Sequence, residues 1–509
     1  MRLAELLPAL EAAQHPRVSG APAADVTIRG ITYDSRAVAP GDLFVALRGE
    51  LHDGHDYLEQ ALRLGAAALV VDDDADVPAS DAAVVRVRDT RRALAPLARA
   101  FFGDPASELD LIGVTGTNGK TSTTYLVEAM LREAGRRVGL VGTVEIRYPG
   151  ARIAAVNTTP ESLDLQRTLR AMRTHQVDAV AMEVSSHGLE LGRVAGCRFA
   201  VAAILNLSPE HLDFHGDMDA YCDAKLRLFR EHLREGAIAV VNLDEPRADA
   251  FLAAARDAGA RILTTRASGE ADVSLLDARV TLEGTSARLR IGDAEIALEL
   301  PLLGDFNLEN LRVAATIAHG LGATPEQIAA GAAACPQVPG RLERVRGEPD
   351  DPTLLVDYAH TPDALDKLLQ TVRPLATGRL LTVFGCGGDR DRSKRPLMAQ
   401  AVARSSDLAI ATSDNPRTED PLAILAEVEV GLEKLERIDA SALAAARSGY
   451  VVEPDRRAAI ALAVTAARSD DTVVIAGKGH EDYQIVGRDR LPFDDRREAR
   501  RALAARRTP

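Results

Sequence analysis

The chain has 509 residues, 46% of them hydrophobic and 27% charged, which suits a multidomain globular protein and excludes wholesale disorder. Its net charge of −14, from 61 basic and 75 acidic residues, disfavours nonspecific nucleic-acid binding, so an anionic ligand must be held by local Lys, Arg and backbone N–H groups. No run of about 18 apolar residues offers a membrane span, and the acidic Glu5 and Glu11 do not fit a secretory signal. Four scattered cysteines, at 197, 222, 335 and 386, form neither a CxxC pair nor a disulfide framework, so a reducing cytoplasm is the expected compartment.

In chain order, residues 1–105 mix short apolar runs (43–47 and 66–71) with Gly and Asp loops, and Gly103-Asp104-Pro105 reads as a linker. From Leu109 the pattern becomes apolar strand, Gly-rich turn, helix. Buried strands are expected at 111–115, 179–184, 201–207 and 237–242. Helical stretches between several of them imply parallel strands with crossover helices. Residues 270–300 alternate, as in Ala287-Arg288-Leu289-Arg290-Ile291, and predict an antiparallel insert. Gln337-Val338-Pro339-Gly340 marks a second boundary. Beyond it, 354–356, 380–385, 408–412 and 473–477 predict strands of a second α/β sheet, and 442–446 an Ala-rich helix. The expected architecture is therefore α/β with three domains, at 1–105, 106–337 and 338–509.

The sharpest motif runs from Leu111 to Thr123 and contains Gly116-Thr117-Asn118-Gly119-Lys120-Thr121-Ser122. A strand enters two glycines, a Lys-Thr pair and a helix. Glycines let the backbone wrap a phosphate, and the helix N-terminus offers free N–H donors. Lys120 adds a cation for the outer phosphates and Thr121 a hydroxyl for Mg2+. Val114 stands where the general phosphate-loop pattern wants glycine. An ordinary strand–helix turn is the bland reading, set against Gly-Lys-Thr in the required context.

Three further stretches narrow the chemistry. Glu183 and His187 end one expected strand, His211 and Asp213 follow the next, and Lys225 lies near the start of a helix. The carboxyl ends of parallel strands gather in one crevice, so Glu183, His187, His211 and Lys225 are expected to converge near Thr121. A carboxylate and an imidazole there suit Mg2+ beside a triphosphate. The His-x-Asp-x-His spacing at 211–215 also permits zinc, but no thiolate supports it. Gly385-Cys386-Gly387-Gly388 looks like a dinucleotide fingerprint yet lacks its final glycine, and reads instead as a tight turn presenting Arg390.

Gly116–Thr121, Glu183–Leu189, His211–Gly216, Tyr221–Lys225, Gly304–Asn310, Pro339–Glu343 and Asp357–Pro362 together resemble the motifs of the Mur ligases, over about residues 30–496. The stretches Gly385–Asp391, Asp414–Arg417 and Gly477–Glu481 resemble those of members that add diaminopimelate. The resemblance implies a UDP-sugar-binding N-terminal domain, a central ATPase with a phosphate-loop-like parallel sheet, and a C-terminal Rossmann-like domain. It implies ATP, a UDP-muramoyl-dipeptide and meso-diaminopimelate as substrates, Mg2+ as cofactor, no nucleic-acid or membrane partner, and a monomer. Gly116, Thr117, Asn118, Gly119, Lys120, Thr121, Ser122, Asn307 and Arg341 then match ATP contacts. Tyr33, Ser35 and residues 49–52, with Asn157, Thr158, Thr159, Ser185, Leu191 and Arg193, match contacts to the UDP-substrate; Leu191 stands where some relatives carry Gln. Arg390, Asp414, Asn415, Pro416, Arg417, Gly477 and Glu481 match the acceptor site. Thr121, Glu183, His211 and Lys225, the last as a carbamate, match metal ligands, and Lys120, Lys225 and His211 catalytic positions. Two rivals are a folylpolyglutamate-synthase type of ligase, which lacks a separate UDP-binding domain, and a regulatory ATPase without ligation.

Overall fold

The computed structural model describes residues 1–10, 14–49 and 52–506. It is an α/β protein with three principal sheets. The chain divides into two compact units. The first comprises Met1–Leu276, Leu289–Ile296 and Asn310–Ala332, and the second Asp277–Arg288, Ala297–Glu309 and Ala333–Pro509.

In the first unit, an N-terminal five-stranded sheet runs Arg17–Ser19, Ala83–Val87, Ala68–Asp72, Asp42–Val45, Gly30–Thr32 in spatial order. The apolar runs predicted at 43–47 and 66–71 supply its two central strands, both fully buried. The helix Thr90–Phe102 is capped by Asp89, which accepts from Arg92 N–H, and ends at Gly103 with φ +74°.

An eleven-stranded sheet follows. Around its centre the order is Leu233–Asn242, Phe199–Ile204, Asp110–Thr115, Ala179–Glu183, Val138–Val141, all parallel. These strands are Val-, Ile- and Ala-rich and, apart from residues 110 and 233–236, buried on both faces, as a parallel sheet covered by helices requires. The chain leaves Asp110–Thr115 toward one side, returns to Ala179–Glu183 beside it, then crosses to Phe199–Ile204 on the other side. The reversal leaves a crevice at the carboxyl ends. Register places Glu183 beside Val114 and Ile204 beside Thr115, so three strand ends finish level. Residues 273–300 supply three more strands, and Thr285–Ile291 alternates buried and less buried positions as its sequence predicts.

The second unit carries a six-stranded sheet ordered Glu343–Val345, Thr353–Asp357, Thr472–Ala476, Leu380–Cys386, Leu408–Ser413, Gly449–Val452. The first pair is antiparallel and the rest parallel. Gly340 and Gly479 let two loops touch: a Cβ on Gly340 would sit 2.1 Å from the His480 nitrogen. One expectation fails here. Residues 442–446 form no α-helix; only a short 3-10 turn, Ala440–Ala442, precedes them. So short a run has little intrinsic helical stability and takes the conformation its tertiary contacts favour. Their carbonyls are instead taken by Arg379, whose Nη1 donates to Leu443, Ala444 and Ala446.

Candidate active site

The phosphate loop joins the strand Asp110–Thr115 to the helix Lys120–Glu133. Gly119 caps that helix with φ +87°, and a Cβ there would lie 2.0 Å from Asn310 Oδ1. Glycine is therefore required on two counts, backbone angle and space. The loop is pinned from outside. Asn206 accepts from Thr117 N–H through its carbonyl at 2.8 Å and from Asn118 N–H through Oδ1 at 3.0 Å. Ser208 N–H donates to Thr117 Oγ1, which also lies 3.1 Å from the Tyr221 hydroxyl. Thr123 Oγ1 donates to Asn310 Oδ1. Asn206, Tyr221 and Asn310 thus brace the loop and the helix it opens; Tyr221 and Asn310 lie in stretches the sequence singles out, but nothing local shows that they brace it.

Two cations meet at one carbonyl. Lys120 Nζ donates to Gly116 O and Thr117 O, both at 2.8 Å, and Lys225 Nζ donates to the same Gly116 O at 3.1 Å. Lys225 lies on the helix Met218–Glu231 and is 1% exposed, with its Nζ 4.4 Å from the Tyr221 ring centroid. Burial, then the neighbouring Lys120 ammonium, push its pKa well below the ordinary lysine value. The expected convergence of Lys225 with the phosphate loop is therefore present.

Glu183, 1% exposed, accepts from Thr143 N–H at 2.8 Å and from the Thr143 hydroxyl at 3.0 Å. Thr121 is buried behind Lys120. His211 is half-exposed in a left-handed conformation, φ +57°, with its ring 4.6 Å from that of His187. Burial, and the Lys120 and Lys225 charges, lower the His211 pKa against the opposing pull of Glu210. Among the described residues no group of three or more His, Cys, Asp or Glu could hold a metal alone, which removes the zinc reading of 211–215. The donor set fits an oxygen-preferring ion: a buried carboxylate already held in place and a hydroxyl at the mouth of a phosphate loop, with the remaining ligands left to phosphate and water. His215, outside the expected ligand set, bonds Ser186 Oγ.

Beside Glu183, Thr159 Oγ1 donates to the Glu183 carbonyl at 3.0 Å and accepts from Ser185 N–H at 3.0 Å. Thr158 and Thr143 hydroxyls are 3.0 Å apart. Arg193 donates to Thr159 O and pairs with Glu161 at 2.9 Å. Asn157 is exposed and Leu191 ends the helix Ser186–Glu190. Just past the strand Gly30–Thr32, Tyr33 donates to Asp164, and Ser35 contacts Gln60. Glu50 and Leu51 lie outside the described residues.

In the second unit the strands Leu380–Cys386, Leu408–Ser413 and Thr472–Ala476 end together, so the loops holding Arg390, Asp414–Arg417 and Gly477–Glu481 share one edge. A Cβ on Gly388 would lie 1.9 Å from Pro416 O, and one on Gly387 would lie 2.9 Å from Arg417 Nη1 and 3.7 Å from Arg390 Cγ. The glycines of the false dinucleotide fingerprint therefore admit the Pro416–Arg417 turn. Arg417 has φ +52° and donates to Gly388 O at 2.7 Å. Pairing of Arg417 with Glu419 or Asp420 is the bland alternative. Glu419 instead pairs with Arg395 at 2.7 Å, and Asp420 caps the helix Pro421–Glu429. Arg390 is exposed and donates to Asp389 O. Also in this unit, Asn307 is buried and donates to Leu303 O, and the Arg341 guanidinium lies 5.1 Å from the Tyr358 ring centroid.

Three family models match the chain: the Mur ligase family catalytic domain over residues 27–102, the Mur ligase middle domain over 114–318, and the Mur ligase glutamate ligase domain over 340–479. A protein of Gloeobacter violaceus described as UDP-N-acetylmuramoyl-L-alanyl-D-glutamate–2,6-diaminopimelate ligase is 47% identical over 484 residues, 95% of each chain. One of the same description from Geobacillus kaustophilus is 46% identical over 94% of this chain and 95% of its own. A solved structure of a ligase so described is 35% identical, with TM-score 0.68 and 100% of both chains covered. The fold alone is shared with MurF ligase from Thermotoga maritima in complex with ADP, at 20% identity and TM-score 0.63 over 95% of this chain and 98% of that one. Folylpolyglutamate synthase of Mycobacterium tuberculosis, at 21% identity and TM-score 0.61, covers only 76% of this chain and 91% of its own. With all three family models matched and full-length relatives near half identical, the chain belongs to the Mur ligase family.

Proposed function

We propose that this protein is an ATP-dependent ligase of peptidoglycan precursor synthesis, joining meso-diaminopimelate to the D-glutamate γ-carboxylate of UDP-N-acetylmuramoyl-L-alanyl-D-glutamate. The observation that carries the substrate choice is the acceptor edge of the C-terminal sheet. There Arg417, not paired with Glu419 or Asp420, follows Asp414 in one loop, and Lys478 ties Asp414 to Glu481 in the next. An acceptor with a carboxylate and an ammonium at its far end matches that pairing of charges. We read the domains as 1–105 for the UDP-sugar, 106–337 for ATP and 338–509 for the amino acid.

In the first half-reaction a γ-carboxylate oxygen attacks the terminal phosphorus of ATP, ADP leaves, and an acyl phosphate forms. The acceptor amine then attacks the acyl carbon, the tetrahedral intermediate expels phosphate, and the amine proton passes to solvent. The chain orients three anion-bearing substrates and offsets the charge that develops between them. Lys120 leaves its own loop carbonyls for the outer phosphates. Arg193, steadied by Glu161, holds the muramoyl-peptide with Thr158, Thr159 and Ser185. Thr121, Glu183, His211 and Lys225, the last as a carbamate, would hold Mg2+, which would supply positive charge to offset that of the phosphates. Lys225 is suited to carbamylation because burial favours the neutral amine that reacts with carbon dioxide. All four cysteines are buried and outside any disulfide, which supports a reducing, cytoplasmic setting; no described helix is long and apolar enough to cross a membrane.

The test is ADP release measured with ATP and every combination of the UDP-dipeptide and diaminopimelate. Sustained release is expected only when both are present. Release without an acceptor, or equal release with lysine, would sink the reading.

A further inference from the structure

Lys478 lies inside the acceptor motif, yet the ligation chemistry gives it no role. Its side chain is wholly buried. Its Nζ donates to Asp414 Oδ1 at 3.2 Å, Asn415 Oδ1 at 3.0 Å and Glu481 Oε2 at 3.1 Å. An ammonium has three N–H donors, so these three acceptors use them all. Two are carboxylates, in ion pairs at 3.2 and 3.1 Å.

The set is braced from outside. Asn415 Nδ2 donates to the same Glu481 Oε2, and Asn415 Oδ1 also accepts from Ile485 N–H at 2.9 Å. Gln484 donates to the Asp414 carbonyl at 2.7 Å. Lys478 thus pins one oxygen of each carboxylate. The other oxygens point elsewhere: Asp414 Oδ2 toward Gly477, 3.8 Å from where a Cβ would stand, and Glu481 Oε1 toward the Tyr483 hydroxyl. A neighbouring buried pair, Arg456–Asp495 at 2.7 Å, is neutral as a unit and donates to Ala476 O, with Arg456 also feeling the Asp414 and Glu481 charges.

We infer that Lys478 is a positioning and specificity-determining residue of the acceptor site: it fixes Asp414, Asn415 and Glu481 and holds the charge of that trio and itself at minus one. The inference rests on the proposed use of diaminopimelate as acceptor. One net negative charge suits a distal ammonium that carries a carboxylate beside it. Without Lys478 the same groups would carry two negative charges. That favours a plain alkylammonium end, as in lysine, and repels the second carboxylate of diaminopimelate.

The experiment uses the full-length enzyme with ATP and the UDP-dipeptide, and compares diaminopimelate with lysine. Wild type is measured first; if it does not ligate diaminopimelate, the functional reading itself fails. Lys478→Met keeps the stem and removes the charge. The Michaelis constant for diaminopimelate should rise at least tenfold and that for ATP stay within twofold. The ratio of kcat/KM for diaminopimelate over lysine should fall at least tenfold. Lys478→Arg restores the charge but not the three-donor geometry, so the ratio should recover in part while the diaminopimelate constant stays raised. If the Met variant does not fold, the Arg variant carries the test: a raised diaminopimelate constant with an unchanged ATP constant supports the inference. With wild type active, a folded variant whose diaminopimelate constant stays within twofold overturns the inference alone. So do ATP and diaminopimelate constants that rise together at an unchanged selectivity ratio, or failure of both variants to fold, either of which makes Lys478 merely structural.

Discussion

Lys225 and Lys478 are both at most 1% exposed, but their surroundings differ. Lys225 donates to a single carbonyl and shares it with the Lys120 ammonium. Lys478 has three oxygen acceptors, two of them carboxylates. Burial makes a charge costly in either place, and the neighbouring groups decide whether that charge is kept or lost. In the central sheet the crowding of cations favours a neutral amine, a nucleophile that can be modified. In the C-terminal sheet, paired charges lock a lysine into the framework. Depth alone would have assigned these residues one role; the company each keeps assigns two.

The comparison can be broken first at its electropositive end. Lys120→Ala removes the cation nearest the outer phosphates and one cause of the depressed Lys225 pKa. Turnover should fall by two or more orders of magnitude, roughly 3 kcal/mol of transition-state stabilisation. Ligation by this variant near the wild-type rate would mean that ATP is not held at this loop. Lys225→Ala should lose on the order of a hundredfold in turnover, about 3 kcal/mol, and recover part of it in added acetate, a short carboxylate able to stand in for the carbamate. Full activity of the alanine variant, or none regained across a carboxylate titration, would leave Lys225 as a buried helix lysine.

How much of this was legible in the sequence depends on how locally each feature is encoded. The phosphate loop was, because strand, glycines and Lys-Thr occupy thirteen successive positions and dictate their own geometry. The strands ending in Glu183 and Ser413 were, because buried parallel strands read as apolar runs. The supports were not. Asn310 meets Thr123 across 187 positions, and Thr143 meets Glu183 across 40, so no short pattern announces either contact. The alanines at 442–446 misled because composition cannot show that Arg379, more than sixty positions earlier, would take their carbonyls. Lys478 sits in the Gly477–Glu481 motif, but its three acceptors come from two loops, and only the fold brings those together.

A smaller effect tests the C-terminal half of the comparison. If Lys478 sets the charge of the acceptor edge, Arg417 supplies a cation there for a carboxylate. Arg417→Ala should raise the diaminopimelate Michaelis constant some thirtyfold, about 2 kcal/mol, and leave that for ATP within twofold. Arg417→Lys should recover little, since an ammonium cannot reproduce the planar fork that also reaches Gly388 O. Equal changes in both constants would show a loop disturbed as a whole, as the left-handed backbone at Arg417 would permit.

The smallest effect concerns a third buried basic side chain, one kept neutral chiefly by burial. His232, at the end of the helix that carries Lys225, has its pKa lowered from 6.5 to about 4, chiefly by burial and in part by Arg198 and Arg227, against the pull of Glu231. The folded state therefore binds the imidazole proton less readily than the unfolded chain does. Stability from this group is fully present above about pH 6.5, falls as pH drops below it, and levels off near pH 4. At pH 5.5 the loss should be on the order of 1 kcal/mol. His480, in the C-terminal unit, is likewise lowered to about 4, by burial and then Arg341, Arg496 and His360, but it adjoins the acceptor residues and so mixes stability with ligand binding. His232→Gln is the cleaner probe. Urea melts between pH 5 and 7 should show a shallower decline in midpoint for the glutamine variant than for wild type, with the two curves closest at pH 5. Parallel curves across that window would mean that His232 takes up its proton equally in the folded and unfolded chains, and that burial at this depth does not lower an imidazole's pKa.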